Sequence, residues 1–216
     1  MPMSDPWSSY PFPSMITVDP STGYLWIADD LTGDVAVVDP STASFVGYCT
    51  WPSTNQYSSW FGTSRPWQIA IYGGYAYVID YGDSNLVRID TSSINGNNTC
   101  TTDTVPLPLT DDEEQGYGLA LYTPASGDTD LYFTLSDDLF VAGTEGDEDW
   151  PATTVGYVDL TTWTGTSPTT AVIYTGMDAP LGTNDDFRGI AATTTTSGGL
   201  ELAFTNLGSV AKLVHL

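Results

Sequence analysis

Carboxylates are the chemistry-bearing groups this sequence holds in quantity. Its 216 residues contain 27 Asp+Glu against 4 Lys+Arg and one histidine, a formal net charge of −23. Two acidic runs stand out: Asp111, Asp112, Glu113 and Glu114, then Asp147, Glu148 and Asp149. Clustered carboxylates supply the several oxygen ligands that Ca²⁺ prefers, so both runs are candidate calcium sites. Neither has EF-hand spacing, and the competing reading is solvated charge that keeps the chain soluble. A second group is aromatic: Trp51, Tyr57, Trp60 and Phe61 share one segment with Arg65 and Trp67. Exposed rings there would stack on sugars or anchor a protein partner. The alternative is a lid packed over the neighbouring sheet.

Catalytic equipment is sparse. The single histidine, His215, sits in a short apolar stretch that reads as a strand. Serine or threonine nucleophiles therefore lack a base. Paired carboxylates for glycoside hydrolysis remain open among so many acids.

The charge balance excludes partners more firmly than it names them. The cations are Lys212, Arg65, Arg88 and Arg188. Four cations cannot neutralise a phosphate backbone, which excludes nucleic acid. An anionic membrane surface repels such a chain, and no apolar run reaches the roughly 18 residues of a membrane helix. Seven Trp, thirteen Tyr and seven Phe argue against disorder. A chain rich in Thr, Ser, Gly and Tyr and nearly free of lysine fits an extracellular or cell-surface setting. No secretory leader is visible in residues 1–16.

The elements that must position these residues show as repeats. A short apolar run, then Asp, then paired hydroxyl residues occurs as VVDPST at 37–42, RIDTSS at 88–93 and YVDLTT at 157–162. An Asp at a strand end accepts from the backbone two residues on, so these read as strand terminators. An opening element recurs as MITV, QIAI, GLAL and GIAA, centred near Ile16, Ile69, Leu119 and Ile190. Each is followed by a turn and a second strand. The pattern predicts strands at 14–18, 24–28, 34–38 and 44–49; at 67–72, 74–80, 85–90 and 101–107; at 116–122, 130–135, 153–159 and 170–175; and at 187–193, 199–205 and 208–215.

Four-stranded units repeating about every fifty residues predict an all-β fold, a β-propeller of about four blades in one domain. The blades fall at about 13–50, 66–108, 116–176 and 187–216. A sandwich or solenoid is the other all-β reading. The last blade lacks its outer strand. Residues 1–12, a second copy, or further blades of a larger propeller would complete it. The segments DPSTGYLWIAD and DVAVVDPST resemble the NHL, YVTN and virginiamycin-B-lyase-like propellers, at the level of fold. That resemblance implies catalytic histidine loops for a lyase, and His215 is the one residue of that type. For a lactonase-like enzyme it implies a Glu, Asn and Asp metal set in the central channel, to which Asn184, Asp185 and Asp186 offer a partial match.

In such a blade, turns between second and third strands share a face with the blade-to-blade connections. Most of the acids, Asp29, Asp30, Asp34, Asp80 and Asp83 among them, then gather on one rim. Cys49 and Cys100 each follow a terminal Asp by the same interval. Equivalent outer positions on adjacent blades lie beyond disulfide reach, whereas a secreted chain with two cysteines usually bonds them. Asn97 begins a glycosylation sequon. The expected function is a non-catalytic extracellular module for binding or self-assembly, with Ca²⁺ as the one candidate cofactor. Its expected partners are another copy, a carbohydrate or a protein. The alternative is a metal-dependent propeller enzyme.

Overall fold

The computed structural model describes residues 12–52, 64–96, 99–107, 114–124, 127–137, 154–163, 168, 170–175, 187–196, 198–206 and 212–215. Fifteen strands run through them as four antiparallel meanders. The first sheet is β1 (Pro13–Val18), β2 (Leu25–Asp29), β3 (Asp34–Asp39) and β4 (Ser44–Cys49). The second is β5 (Pro66–Tyr72), β6 (Tyr75–Asp80), β7 (Asn85–Asp90) and β8 (Thr102–Pro106). The third is β9 (Glu114–Tyr122), β10 (Asp130–Asp137), β11 (Thr154–Asp159) and β12 (Thr170–Thr175). The fourth has three strands, β13 (Phe187–Thr194), β14 (Leu200–Asn206) and β15 (Lys212–His215). No described helix is long and apolar enough to cross a membrane. The chain divides into two compact units, Met1–Pro106 with blades 1 and 2, and Leu107–Leu216 with blades 3 and 4.

The expected strand terminators form as the sequence predicts. Asp39 accepts from the Ser41 amide at 2.9 Å, the Ser41 hydroxyl at 2.7 Å and the Thr42 hydroxyl at 2.8 Å. Asp90 caps the Thr91–Ser93 3₁₀ turn through Ser92, and Asp159 accepts from Thr161 and Thr162. A fourth copy sits at Asp19, with Ser21 and Thr22. Each Asp satisfies backbone N–H groups freed where the strand ends. These bonds favour the carboxylate, so Asp39 and Asp159 are held below the usual range, mainly by the hydroxyls of Ser41 and Thr161.

In the first unit, blades 1 and 2 bury one shared core. Trp26 and Ala28 of β2 and Val35 and Val37 of β3 pack against Ile69, Ala76, Val78, Val87 and Ile89 of blade 2. In the second unit, Ala120, Tyr122, Tyr132 and Val155 of blade 3 pack against Ile190, Leu202 and Phe204 of blade 4. The apolar side chains face a neighbouring sheet, as sheets stacked through their faces require.

Cys49 and Cys100 are bonded, with their Cα atoms 5.5 Å apart. Reasoning from equivalent positions gave the wrong distance because the two cysteines occupy opposite strand ends. Cys49 closes β4, whereas Cys100 precedes β8. Strand twist accumulates to roughly 60–75° across a four-stranded sheet, so the outer strands cross and opposite ends meet. The loop from β7 to β8 lies against β4: a Cβ on Gly47 would stand 2.5 Å from the Asn95 carbonyl oxygen, closeness only glycine permits.

The disulfide spans 51 residues of sequence. Closing a loop of that length removes about 4 kcal/mol of unfolded-chain entropy. The Cys49→Ser, Cys100→Ser double variant is expected to lose about that much stability in urea titration. Reduction of the native chain should reproduce the loss.

Candidate functional site

The described part of the acidic rim is built from two equivalent turns and the connection between blades 1 and 2. The β2–β3 turn carries Asp29, Asp30 and Asp34, and the β6–β7 turn carries Asp80 and Asp83. Both turns reach a left-handed residue just before the next strand, Gly33 (φ 74°) and Ser84 (φ 49°). The connection supplies Trp51 and Arg65.

Three of these acids are internal rather than solvated. Asp29 and Asp80 are fully buried, and Asp30 is 7% exposed. Asp80 Oδ1 accepts from the Arg65 amide at 2.8 Å and the Gly82 amide at 3.1 Å; its Oδ2 accepts from Trp51 Nε1 at 2.7 Å. Asp29 does the same work in blade 1. Its Oδ1 accepts from the Leu31 and Thr32 amides, each at 3.0 Å, and its Oδ2 from the Phe12 amide at 3.1 Å. The sequence carries the signal for this lock. In Phe12-Pro13 and Arg65-Pro66 the proline opens the inner strand and lacks an N–H, so the preceding residue offers the donor. The Asp ending the second strand of the same blade accepts it.

Trp51 was one of the candidate stacking residues. It is 7% exposed and packs in the core shared by blades 1 and 2, with its indole N–H held by Asp80. The ring is therefore part of the core rather than exposed. Arg65 forks onto Asp30, with both contacts at 2.7 Å, and stacks over the Tyr81 ring at 4.5 Å. Arg88 pairs with Asp103 across β7 and β8 and lies over Tyr75 at 4.7 Å.

Asp34 is different. Its Oδ1 is buried with no hydrogen-bond partner among the described residues. Burial, with the charge of Asp29 beside it, pushes its carboxyl up to about 6. Burial likewise raises Asp80, against the opposing pull of its Arg65 and Trp51 hydrogen bonds.

Glu114 opens β9 opposite Asp137 of β10, and His215 pairs in register with Glu201. Asp111, Asp112, Glu113, Asp147, Glu148, Asp149, Tyr57, Trp60, Phe61 and Asn97 lie outside the described residues, as do Asn184, Asp185 and Asp186. Among the described residues, no group of three or more His, Cys, Asp or Glu is placed to hold a metal ion.

No family model matches the sequence, and no curated protein matches it. Solved structures do. The β-propeller domain of Cps50 (Swd1) from Myceliophteria thermophila superposes with a TM-score of 0.53 at 10% identity, covering 95% of this chain and 51% of that one. BamB from Moraxella catarrhalis matches with a TM-score of 0.43 at 10% identity, covering 91% of this chain and 62% of that one. The dihydro-heme d1 dehydrogenase NirN matches at 0.45 and 14% identity, over 97% of this chain and 46% of that one. The fold is a β-propeller fold. The chain spans about half the length of the Swd1 propeller domain it matches.

Two outcomes follow from the carboxylates. Asp80→Ala leaves three donors without their acceptor and is expected to cost about 3 kcal/mol in urea titration, whereas Trp51→Phe removes one donor and costs about half that. For Asp34 the folded pKa lies above the unfolded one. Its ionised form therefore destabilises the fold above pH of about 6, and the penalty fades as pH falls toward 3.8, the ordinary value of an aspartate. Asp34→Asn should raise stability at neutral pH by about 1 kcal/mol after allowance for solvent screening. It should also flatten the profile below pH 6, as followed by thermal melts across pH.

Proposed function

We propose that this chain is a non-catalytic, extracellular propeller module whose work is assembly at the open edge of its last blade. The strand count among the described residues carries the reading: there, three sheets have four strands, and β13–β14–β15 has three. An outer β15 edge leaves backbone N–H and C=O groups in need of partners, which a strand from another copy supplies in register. The Cys49–Cys100 bond supports an oxidising compartment. The scarcity of lysine and arginine supports a setting exposed to trypsin-like proteases.

Ca²⁺ at the acidic runs 111–114 and 147–149 belongs to the same proposal. So do carbohydrate or protein contacts at Tyr57, Trp60 and Phe61 and a glycan on Asn97. Their support is residue type and spacing.

Light scattering tests the assembly, with and without a calcium chelator. The expected mass exceeds the 23.1 kDa of one chain. Neighbouring strand residues send their N–H groups to opposite edges, so a proline at Leu213 or at Val214 removes an outward donor. One of the two variants should dissociate the assembly while retaining the β spectrum. A monomer at every concentration would falsify the reading, as would an assembly indifferent to both prolines. Loss of mass on chelation would place calcium at the joint; an unchanged mass would remove calcium from the proposal.

A further inference from the structure

Asn95 and Gly96 are a pair with chemistry of their own. They lie in the β7–β8 loop, between the Thr91–Ser93 turn and Cys100, and both are exposed. An asparagine followed by glycine closes readily into a cyclic imide. The neighbour has no Cβ, so its backbone nitrogen can turn toward the side-chain carbonyl carbon. The other asparagines among the described residues are placed differently. Asn85 precedes Leu86 and pairs with Asp80, and Asn206 precedes Leu207 and pairs with Phe187. Their ladders fix the backbone that ring closure has to turn.

The loop holds the pair in a defined frame. Asp90 caps its first turn, and the Ser93 hydroxyl accepts from the Thr101 amide at 2.8 Å. Asn95 Nδ2 donates to the Ser93 carbonyl at 3.1 Å and to the Thr99 hydroxyl at 3.3 Å. Gly96 itself has no conformational reason to be glycine, since its φ lies outside the left-handed region. Nor does space require it: a Cβ there would meet nothing nearer than the Val46 carbonyl oxygen at 4.0 Å. Gly47 across the seam is the opposite case, because the Asn95 carbonyl leaves it no room for a Cβ.

We infer that Asn95 is a self-modification site, where the chain converts its own asparagine to aspartate and isoaspartate with water as co-reactant. The Gly96 nitrogen attacks Asn95 Cγ and forms a C–N bond. The Cγ–Nδ2 bond breaks, and Nδ2 departs as ammonia with the hydrogen that Gly96 gives up. Water then opens the imide. Cleavage of the new bond at Cγ gives aspartate. Cleavage at the Asn95 backbone carbonyl carbon gives isoaspartate, with the chain routed through Cγ.

Both products act on the seam with β4. A carboxylate is acceptor-only, so the two bonds from Nδ2 are lost. In isoaspartate the carbonyl that stands against Gly47 becomes a free carboxylate, a charge placed where there is no room for a methyl group. The corner that carries the Cys49–Cys100 bond then opens more readily. This inference is independent of the assembly reading.

Incubation of the native chain in mildly alkaline buffer tests it, read by peptide mass and by methyl transfer from an isoaspartyl methyltransferase. The Asn95 peptide should gain the mass of an amide exchanged for an acid and should accept methyl groups, faster in alkaline than in acidic buffer. Gly96→Ala, which the open space accommodates, should slow the conversion at least about tenfold. Asn95→Gln keeps an amide and should abolish the conversion at that position. Asn95→Asp imitates one product, and dithiothreitol should reduce its disulfide about fivefold to tenfold faster than that of the native chain.

A native Asn95 that stays intact, while a short peptide of the same sequence converts, overturns the site; the bonds to Ser93 and Thr99 would then be protecting the amide. Equal rates in the native chain and Gly96→Ala overturn it too. A native rate of reduction in Asn95→Asp overturns the effect on the seam and leaves the modification standing.

Discussion

Blade 1 is a sheet with two apolar faces, and the requirement for cover on sheets of this kind governs the rest of the structure. On β2, Trp26 and Ala28 point to one side while Leu25 and Ile27 belong to the other. Strands of this kind read as nearly continuous apolar runs rather than as an apolar and polar alternation. A sheet so composed cannot stand alone in water. The core between blades 1 and 2 answers the requirement on one side. Sheet twist then brings opposite ends of the outer strands together, and a disulfide joins Cys49 to Cys100 there.

Many of the described carboxylates sit at strand ends, and the two ends treat them differently. Asp19, Asp39, Asp90 and Asp159 terminate strands through local turns, accepting from Ser and Thr within three residues. At the other end, Asp29 and Asp80 accept amides from residues distant in sequence, and so fasten the entry of the inner strand to the turn of its own blade. Both sets are carboxylates on backbone N–H groups. Surroundings separate their protonation: hydroxyl and amide donors prevail at exposed Asp39, and desolvation prevails at buried Asp80.

That difference also explains what the sequence discloses. The fifteen strands are legible because turn residues and Asp-hydroxyl endings are local signals, and the observed bounds differ from the expected ones by a few residues at most of the ends. The last strand is described over Lys212–His215, and positions 208–211 of its expected span lie outside the described residues. The burial of Asp29 and Asp80 was not legible from acidic composition, because it depends on a donor contributed by Phe12 or Arg65 elsewhere in the chain. Trp51 shows the same limit. Its type suits a sugar platform as well as a core, and only the position of Asp80 decides between them. The cysteines failed to yield to positional equivalence because twist acts on whole sheets, beyond the reach of spacing.

The charge distribution completes the picture. Like-charged copies repel, so any contact between them must use surface from which charge is absent. Arg65 and Arg88 do not relieve that repulsion, because each is paired within the chain, on Asp30 and Asp103. The acids of the described rim sit at turns, whereas the Ile16 and Val18 face of blade 1 carries none. Placement of the described carboxylates of blade 1 at its turns thus leaves the Ile16 and Val18 face of that blade neutral, where burial against another sheet meets no electrostatic cost.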